Sequence, residues 1–299
     1  MRIYLLNPPF IKNFVRCGRW QGVAARGGTL YYPIWLSYAT GVLEKEGHKV
    51  RLIDAIAQEW DKNKVLDDAK KFDPDLVVLD TNFSSLKNDI NIAKILKENT
   101  ESISVLVGPP TSQFPEKILN DSVDIVARFE YDFTLKDLAG TIENGGNLEN
   151  VMGISYKENG KIIHNQNKFT TSKDLNEIPF VSKVYKEHLN IRDYFLNHAL
   201  YPMVQIFAGR GCPNRCTFCS WPETLMGRKY RVRSVENIVD EFEYVLSELP
   251  EVKEIFIEDD AFTINKKIVK QFCEELKKRR IDISWSCQSR ADLDYETMK

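Results

Sequence analysis

The chain alternates short, uninterrupted apolar runs with longer amphipathic stretches, and this restricts it to layered α/β architectures. Within about the first 145 residues, Arg2–Asn7, Val50–Asp54, Asp75–Asp80, Ile103–Gly108 and Asp124–Ala127 predict strands. Several are apolar throughout, without the polar alternation of a sheet that has one wet face, so they predict a parallel sheet covered on both sides. Between them, Pro33–Glu46, Lys62–Lys71, Leu86–Glu98, a short stretch near Pro115–Leu119 and Phe133–Glu143 predict helices. Pro33 suits a first helical turn and Gly47 a helix end. Five βα units give a doubly wound parallel sheet of the flavodoxin or Rossmann kind, whose ligands bind outside the carboxyl ends of the strands. Those ends are Asn7-Pro8-Pro9, Thr81-Asn82-Phe83, Gly108-Pro109-Pro110-Thr111 and Arg128-Phe129-Glu130.

The pattern changes after the turn cluster Asn144-Gly145-Gly146-Asn147. Val151–Tyr156 and Lys161–Asn165 flank Glu158-Asn159-Gly160 and predict a hairpin with Asn-Gly at its tip. Residues 166–200 are mixed polar and aromatic without period, and read as a linker that packs on something. A second βα series follows, with strands at Val204–Gly209, Glu254–Asp259 and Asp282–Cys287 and helices at Val235–Glu248 and Lys266–Arg280. The expected organisation is a first domain over 1–145, a hairpin and linker over 146–200, and a second domain from 201 to 299.

The second series carries the chemistry. An apolar strand runs into Gly209-Arg210-Gly211-Cys212-Pro213-Asn214-Arg215-Cys216-Thr217-Phe218-Cys219. Spacings of four and three let one loop wrap a single small metal body, and iron clusters take thiolate ligands. Three cysteines on a four-iron cluster leave one iron open for a substrate. A structural zinc site needs a fourth ligand, and no histidine lies nearby. A thioredoxin-like pair, Cys216 with Cys219, leaves Cys212 unexplained. Gly209 and Gly211 permit close backbone approach.

This CxxxCxxC segment, after a first strand and with an aromatic before its last cysteine, resembles the signature of the radical S-adenosylmethionine (radical SAM) superfamily. The resemblance implies a 4Fe-4S cluster on Cys212, Cys216 and Cys219. Its open iron would chelate the amino and carboxylate groups of S-adenosylmethionine, whose reductive cleavage yields a 5′-deoxyadenosyl radical. It further implies Phe218 near the adenine and Asp259, at the end of the second strand, facing the methionine moiety. Asp259-Asp260 read alone could equally serve only the following helix N-terminus. Cys273 reads as helix core, and Cys287 as a buried, inert thiol. Arg290 could meet an anionic substrate or simply a carboxylate.

In the first domain, Asn7-Pro8-Pro9, Tyr32–Tyr38, Glu46–Val50 through Ile53-Asp54-Ala55, and Val107-Gly108-Pro109 resemble the cobalamin-binding domain that precedes many radical SAM domains. The resemblance implies cobalamin contacts from Asn7, Pro8, Pro9, Thr81, Asn82, Gly108, Pro109, Thr111 and Glu130. The DxHxxG motif that supplies a lower histidine ligand is absent. His48, in a helix-to-strand turn, reads as structural. A vestigial domain that docks without cofactor is the rival. Methylthiotransferases need three further cysteines in this half, where Cys17 stands alone. The segment Phe14–Gly28, with three arginines and a tryptophan, reads as a lid over the ligand edge or as a solvated loop.

A net charge of −2 gives no field that favours nucleic acid or an anionic membrane. No apolar run approaches a transmembrane segment, and the start lacks a signal peptide. The expected place is the cytoplasm, where thiols stay reduced and a cysteine cluster suggests metal before disulfide. With three strands where radical SAM barrels have at least six, the expectation is a partial (β/α) barrel, truncated relative to a complete enzyme. The family implies a small-molecule or lipid-like substrate and a reductant such as flavodoxin or ferredoxin. Methylation of an unactivated carbon through methylcobalamin is the expected reaction. Radical cyclisation or rearrangement, and an inactive cofactor-binding fragment, are the alternatives.

Overall fold

The computed structural model describes residues 1–16, 23–24 and 27–298. Cys17 and most of the segment that follows it lie outside the described residues.

The first sheet is built from β1 (Arg2–Asn7), β2 (Lys49–Asp54), β3 (Leu76–Asp80), β4 (Ile103–Val107), β5 (Ile125–Ala127), β6 (Ile154–Glu158) and β7 (Lys161–His164). Their order is β2-β1-β3-β4-β5-β6-β7. The first five are parallel, with Ile3 opposite both Val50 and Leu76. The chain therefore reverses its winding between β1 and β3, which makes that point the natural crevice of the sheet. Helices α1 (Ile34–Lys45) and α4 (Asp132–Glu143) cover one face, where Ile3, Leu5 and Val78 meet Leu43, Leu135 and Leu138. Helices α2 (Lys62–Phe72) and α3 (Leu86–Thr100) cover the other, where Tyr4, Leu6, Val77 and Leu79 meet Val65, Ala69, Ile92 and Leu96. All five residues of β3 are buried, the four apolar residues Leu76–Leu79 and Asp80 at its end. Burying each of the four apolar side chains contributes about 1.5–3 kcal/mol.

Two local differences from expectation have physical causes. The Asn159-Gly160 hairpin forms, with φ of 49° and 76° at those residues. Yet it does not stand apart: β6 pairs antiparallel with β5 and extends the first sheet. Pro109–Gln113 is a short helix rather than part of a loop, because prolines at the first helical positions surrender only N–H groups that a helix leaves unpaired.

The aperiodic stretch folds into short helices at Ser172–Glu177 and α5 (Val181–His188), with a 3₁₀ turn at Ile191–Asp193. Its order comes from tertiary contact. Tyr32 stacks between Tyr185 and Tyr194 at centroid distances of 4.0 and 3.9 Å. The Tyr32 hydroxyl donates to Met203 O at 2.9 Å, and the Tyr185 hydroxyl to Gln205 O at 2.9 Å. These bonds hold both halves to β8 (Met203–Ile206).

In the second half, β8, β9 (Glu254–Ile257) and β10 (Ser284–Cys287) form a parallel sheet in that order. Helices α6 (Val235–Glu248) and α7 (Lys266–Lys278) pack on it through Phe242 and Phe272. Ser234 and Asn265 cap their N-termini by accepting from Asn237 N and Ile268 N at 3.2 and 3.3 Å. The expected strand through Gly209 ends at Ile206. The chain then leaves the sheet and pairs Gly209–Arg210 antiparallel with Arg231–Val232, closing a ribbon around the cysteine loop. One apolar cluster runs from Leu5 through Trp35 and Tyr38 into Phe207, Ile206 and Ile255, so the two sheets share a core. No helix among the described residues is long and apolar enough to cross a membrane.

Candidate active site

Cys212, Cys216 and Cys219 lie on one loop between the two ribbon strands, each half-buried and in no disulfide. Backbone contacts shape the loop: Cys212 N donates to Gly227 O at 3.2 Å and Cys219 N to Cys216 O at 3.1 Å. Asn214 Nδ2 lies 3.3 Å from Cys212 Sγ. Gly211 has φ 92°, and a Cβ there would stand 2.2 Å from Lys229 O. Only glycine lets the loop start this close to the returning strand. Three thiols with main-chain support and no fourth cysteine in the loop suit a cluster with one open iron. Burial raises the Cys219 thiol above its ordinary range, a cost that a bound metal, which takes the thiolate, would offset. Phe218, at 87% exposed, stands out from the loop as a free aromatic face.

Asp259 follows β9 and is fully buried. Its Oδ1 accepts from Ala208 N at 2.8 Å, and its Oδ2 from the Tyr230 hydroxyl at 2.7 Å. It thus braces the turn by which the chain leaves β8 for the cysteines. Burial pushes its carboxyl up to about 7, against these hydrogen bonds. Cys287 ends β10; burial, with the nearby Asp259 carboxylate, pushes its thiol up to about 11, in keeping with an inert role. Cys273 is half-buried on α7. Arg290 pairs with Asp292 at 3.1 Å, and the carboxylate raises its pKa.

On the first domain, the residues expected to contact a cofactor divide into floor and rim. Asn7 Nδ2 donates to Asp54 Oδ1 at 2.8 Å, and Thr81 Oγ1 to Asp89 Oδ2 at 2.9 Å. Asn82 Nδ2 donates to Arg16 O at 3.0 Å. Arg16 reaches back over the end of β1, pairs with Asp89 at 2.7 Å, and donates to Asn7 Oδ1 and Pro8 O at 2.9 and 2.6 Å. Both members of this pair are inaccessible to solvent, so they seal the reversal point from beneath. Thr111 Oγ1 lies within hydrogen-bond reach of the Gly108 and Ala127 carbonyls. Gly108, at φ 108°, presses against Thr81 O, 2.3 Å from where a Cβ would be. Pro109 is buried at the start of its short helix. Glu130, expected on the ligand edge, instead has both carboxylate oxygens engaged by Arg231, with Thr170 a further donor.

The rim above this floor is apolar. Pro9 is half-buried there, and Phe10, Ile11, Phe83 and Phe114 are exposed at the ends of β1, β3 and β4, with Phe83 and Phe114 edge to face at 6.2 Å. A flat macrocycle needs such a surface. A cavity of about 720 Å³ opens beside it, lined by Phe10, Ile56, Trp60 and Asn88 among others. The rim and the glycine at 108 fit a bulky planar group laid on the strand ends. His48 lies just before β2, at the opposite edge, and contacts Met1 N at 3.3 Å. Burial lowers its pKa.

The first domain touches the cysteine loop directly. Ser112 Oγ donates to Thr224 O at 2.7 Å and Gln113 Nε2 to Glu223 O at 3.1 Å. Both acceptors belong to the π-turn Pro222–Met226, whose next residue, Gly227, accepts from Cys212. Sequence reasoning missed Arg16, Asp89, Phe114, Arg210, Tyr230 and Arg231. Arg210, beside the cysteine motif, carried the one local signal.

Comparison with known proteins agrees with this geometry. Residues 20–139 match the B12 binding domain family and residues 206–299 the radical SAM superfamily. The chain is 32% identical over 302 residues to an uncharacterized methyltransferase of Pyrococcus horikoshii, covering 99% of this chain and 61% of that protein. It is 30% identical to the hopanoid C-3 methylase of Methylococcus capsulatus, over 87% of this chain and 48% of that one. It is 26% identical to an anaerobic magnesium-protoporphyrin IX monomethyl ester cyclase of Rubrivivax gelatinosus, over 97% of this chain and 50% of that one. The chain thus spans half to three-fifths of these relatives. The fold matches the cobalamin-dependent S-adenosylmethionine radical enzyme OxsB, solved with aqua-cobalamin and S-adenosylmethionine bound, with a TM-score of 0.76 at 24% identity over 100% of this chain and 40% of that one. The chain belongs to the radical SAM superfamily, among the members that carry a B12 binding domain ahead of the radical SAM domain.

Proposed function

We propose that the chain is the cofactor-bearing part of a cobalamin-dependent radical SAM enzyme that methylates an unactivated carbon of a small-molecule or lipid-like substrate. The observation that carries this reading is the seating of the three-thiol loop against the ligand edge of the first sheet, through Ser112 and Thr224. A corrinoid on that edge and a cluster on that loop would be neighbours. Cys212, Cys216 and Cys219 would hold the cluster, Phe218 would shield the adenine of S-adenosylmethionine, and Asp259 would brace the turn that carries the loop. Phe10, Phe83 and Phe114 would bear the corrinoid above Asn7, Pro8, Pro9, Thr81, Asn82, Gly108, Pro109 and Thr111. When bound, the cluster and S-adenosylmethionine supply radical chemistry, and the corrinoid supplies the methyl transfer. The side chains on this chain orient these groups and exclude water. A low-potential reductant such as flavodoxin or ferredoxin, and a cytoplasmic setting, complete the proposal. The similarity to the cyclase favours a second reading, in which radical ring formation proceeds without methyl transfer.

The test is anaerobic reconstitution with cofactor analysis. About four irons and four sulfides per chain are expected for a thiolate-held cluster of this type, with their loss in Cys216→Ala and uptake of hydroxocobalamin by the intact chain. Stoichiometric zinc in a colourless protein would overturn the cluster assignment. Methylated product, rather than a cyclised one, separates the two reactions.

A further inference from the structure

Arg210 and Arg231 stand directly opposite each other on the antiparallel ribbon that closes the cysteine loop. Like charges so placed repel across a strand pair, and both side chains are buried. Such an arrangement persists only where something neutralises both cations. The first domain supplies it, in two residues separated by Tyr131 where the link from β5 enters α4. Glu130 takes Arg231 in a two-pronged pair, at 2.6 Å through Nη2 and 2.9 Å through Nη1. Asp132 takes Arg210 at 2.7 Å, with both side chains inaccessible to solvent. The Arg210 guanidinium also lies over Trp35 at 4.5 Å and Tyr38 at 5.1 Å, two rings of α1. Arg231 passes the constraint onward: its Nη2 donates to Met226 O, one residue before the Gly227 carbonyl that accepts from Cys212 N.

We propose that Glu130 and Asp132 are positioning residues for the thiol loop: through Arg231 and Arg210 they fix the ribbon from which the loop hangs, and so set where the three thiols stand relative to the ligand edge of the first domain. The second domain's metal loop is then registered by carboxylates of the first. In its bearing on the reaction this rests on the proposed function, but the mechanical claim does not. A planar guanidinium gripping a carboxylate in two places resists rotation as well as translation, which a single lysine contact would not.

The experiment is hydrogen exchange with mass analysis on the intact chain, for the wild type, Glu130→Gln, Asp132→Asn and Ser112→Ala. Glu130→Gln keeps the shape and removes the charge. Exchange in peptides covering 209–232 is expected to rise roughly tenfold or more in Glu130→Gln and Asp132→Asn, as local opening becomes easier. The strands Met203–Ile206 and Glu254–Ile257 should keep their protection. Ser112→Ala, which removes one partly buried contact to the same turn, should give a smaller rise in the same peptides. If the carboxylate variants fail to fold, Arg231→Lys, which keeps the charge but loses the two-pronged grip on Glu130, should give the same rise in the same peptides. A uniform rise along the chain, or no rise in 209–232, overturns the proposal. With cofactors loaded, pulsed electron paramagnetic resonance between cob(II)alamin and the reduced cluster should show a broader distance distribution in Glu130→Gln at equal occupancy. An unchanged distribution overturns the positioning role. A wild-type chain that loads neither cofactor refutes the proposed function while leaving the exchange result to stand by itself.

Discussion

The Tyr230 hydroxyl donates to Asp259 Oδ2 at 2.7 Å, tying the strand that returns from the cysteine loop to the end of β9. Asp259 is buried, and the neighbouring Asp260 adds its own charge to its surroundings. Its carboxyl titrates from an ordinary 3.8 up to about 7 because burial outweighs the amides of Gly209 and Ala208 and the Tyr230 hydroxyl. A group whose folded pKa is raised favours the folded state while protonated. That contribution is complete below about pH 4 and is lost as pH rises through about 7, a span worth roughly 4 kcal/mol at most. Asp80, raised to about 7 mainly by burial, acts in the same direction. Asp259→Asn should therefore remove part of the decline in stability between pH 4 and 7. Urea unfolding of the metal-free chain across that range checks it, and identical slopes in variant and wild type would refute it.

The Arg16–Asp89 pair gives a second prediction. Both side chains are sealed from solvent at 2.7 Å separation, so removing the cation alone leaves a buried carboxylate with neutral partners only, the Ser85 and Thr81 hydroxyls and the Asn88 amide. Arg16→Met should destabilise the first domain by about 3–5 kcal/mol. Arg16→Met combined with Asp89→Leu should recover much of that loss. Chemical unfolding of Arg16→Met, Asp89→Leu and the double variant decides the matter; additive losses would show that the pair does not act as a unit.

What could be read from the sequence follows from the range of the forces. Strands β1 to β5 are short, largely apolar runs, and α1 is bounded by Pro33 and Gly47, so local composition was enough. The cysteines declared themselves by spacing, and Asn159-Gly160 by turn chemistry. The ribbon at Gly209–Arg210 and Arg231–Val232 has two residues per strand, too few to show a period. Glu130 looked like a ligand-edge carboxylate because its position at a strand end was legible. Its partner, Arg231, lies 101 residues away and was not. Likewise nothing local in Lys12–Arg16 tells that Arg16 folds back over Asn7 to meet Asp89.

The apolar rim predicts where a corrinoid is felt. Phe83 and Phe114 are 37% and 40% exposed and pack on each other at the strand ends. Covering the part of each ring still exposed contributes about 1 kcal/mol, so Phe83→Ser and Phe114→Ser should each weaken hydroxocobalamin binding roughly fivefold. Thermal stability should change little, since these side chains support no core. His48, at the opposite edge of the sheet beside Met1 and Glu143, should be replaceable by alanine without changing the cobalt absorption spectrum. Visible titration of the four proteins tests the assignment. A spectral change in His48→Ala, with normal binding by both phenylalanine variants, would move the corrinoid away from this edge.

Gly211 gives the sharpest local prediction because two separate costs meet there. Its φ of 92° is unfavourable for any residue with a Cβ, and an added Cβ would lie 2.2 Å from Lys229 O, a backbone atom that cannot turn aside. Relief requires the ribbon to open, which breaks the Cys212 N to Gly227 O bond and releases the first cysteine from its place. Gly160, at φ 76° with nothing within 4 Å, isolates the conformational cost alone. Gly160→Ala should lower stability by about 1 kcal/mol and leave metal uptake intact. Gly211→Ala should lower stability by about 1–3 kcal/mol and reduce iron retained after reconstitution and desalting, with Cys216 and Cys219 unaltered. Iron retention in Gly211→Ala equal to that in Gly160→Ala would mean that the loop holds its metal without the close approach of residues 211 and 229, and that the ribbon is not what presents Cys212.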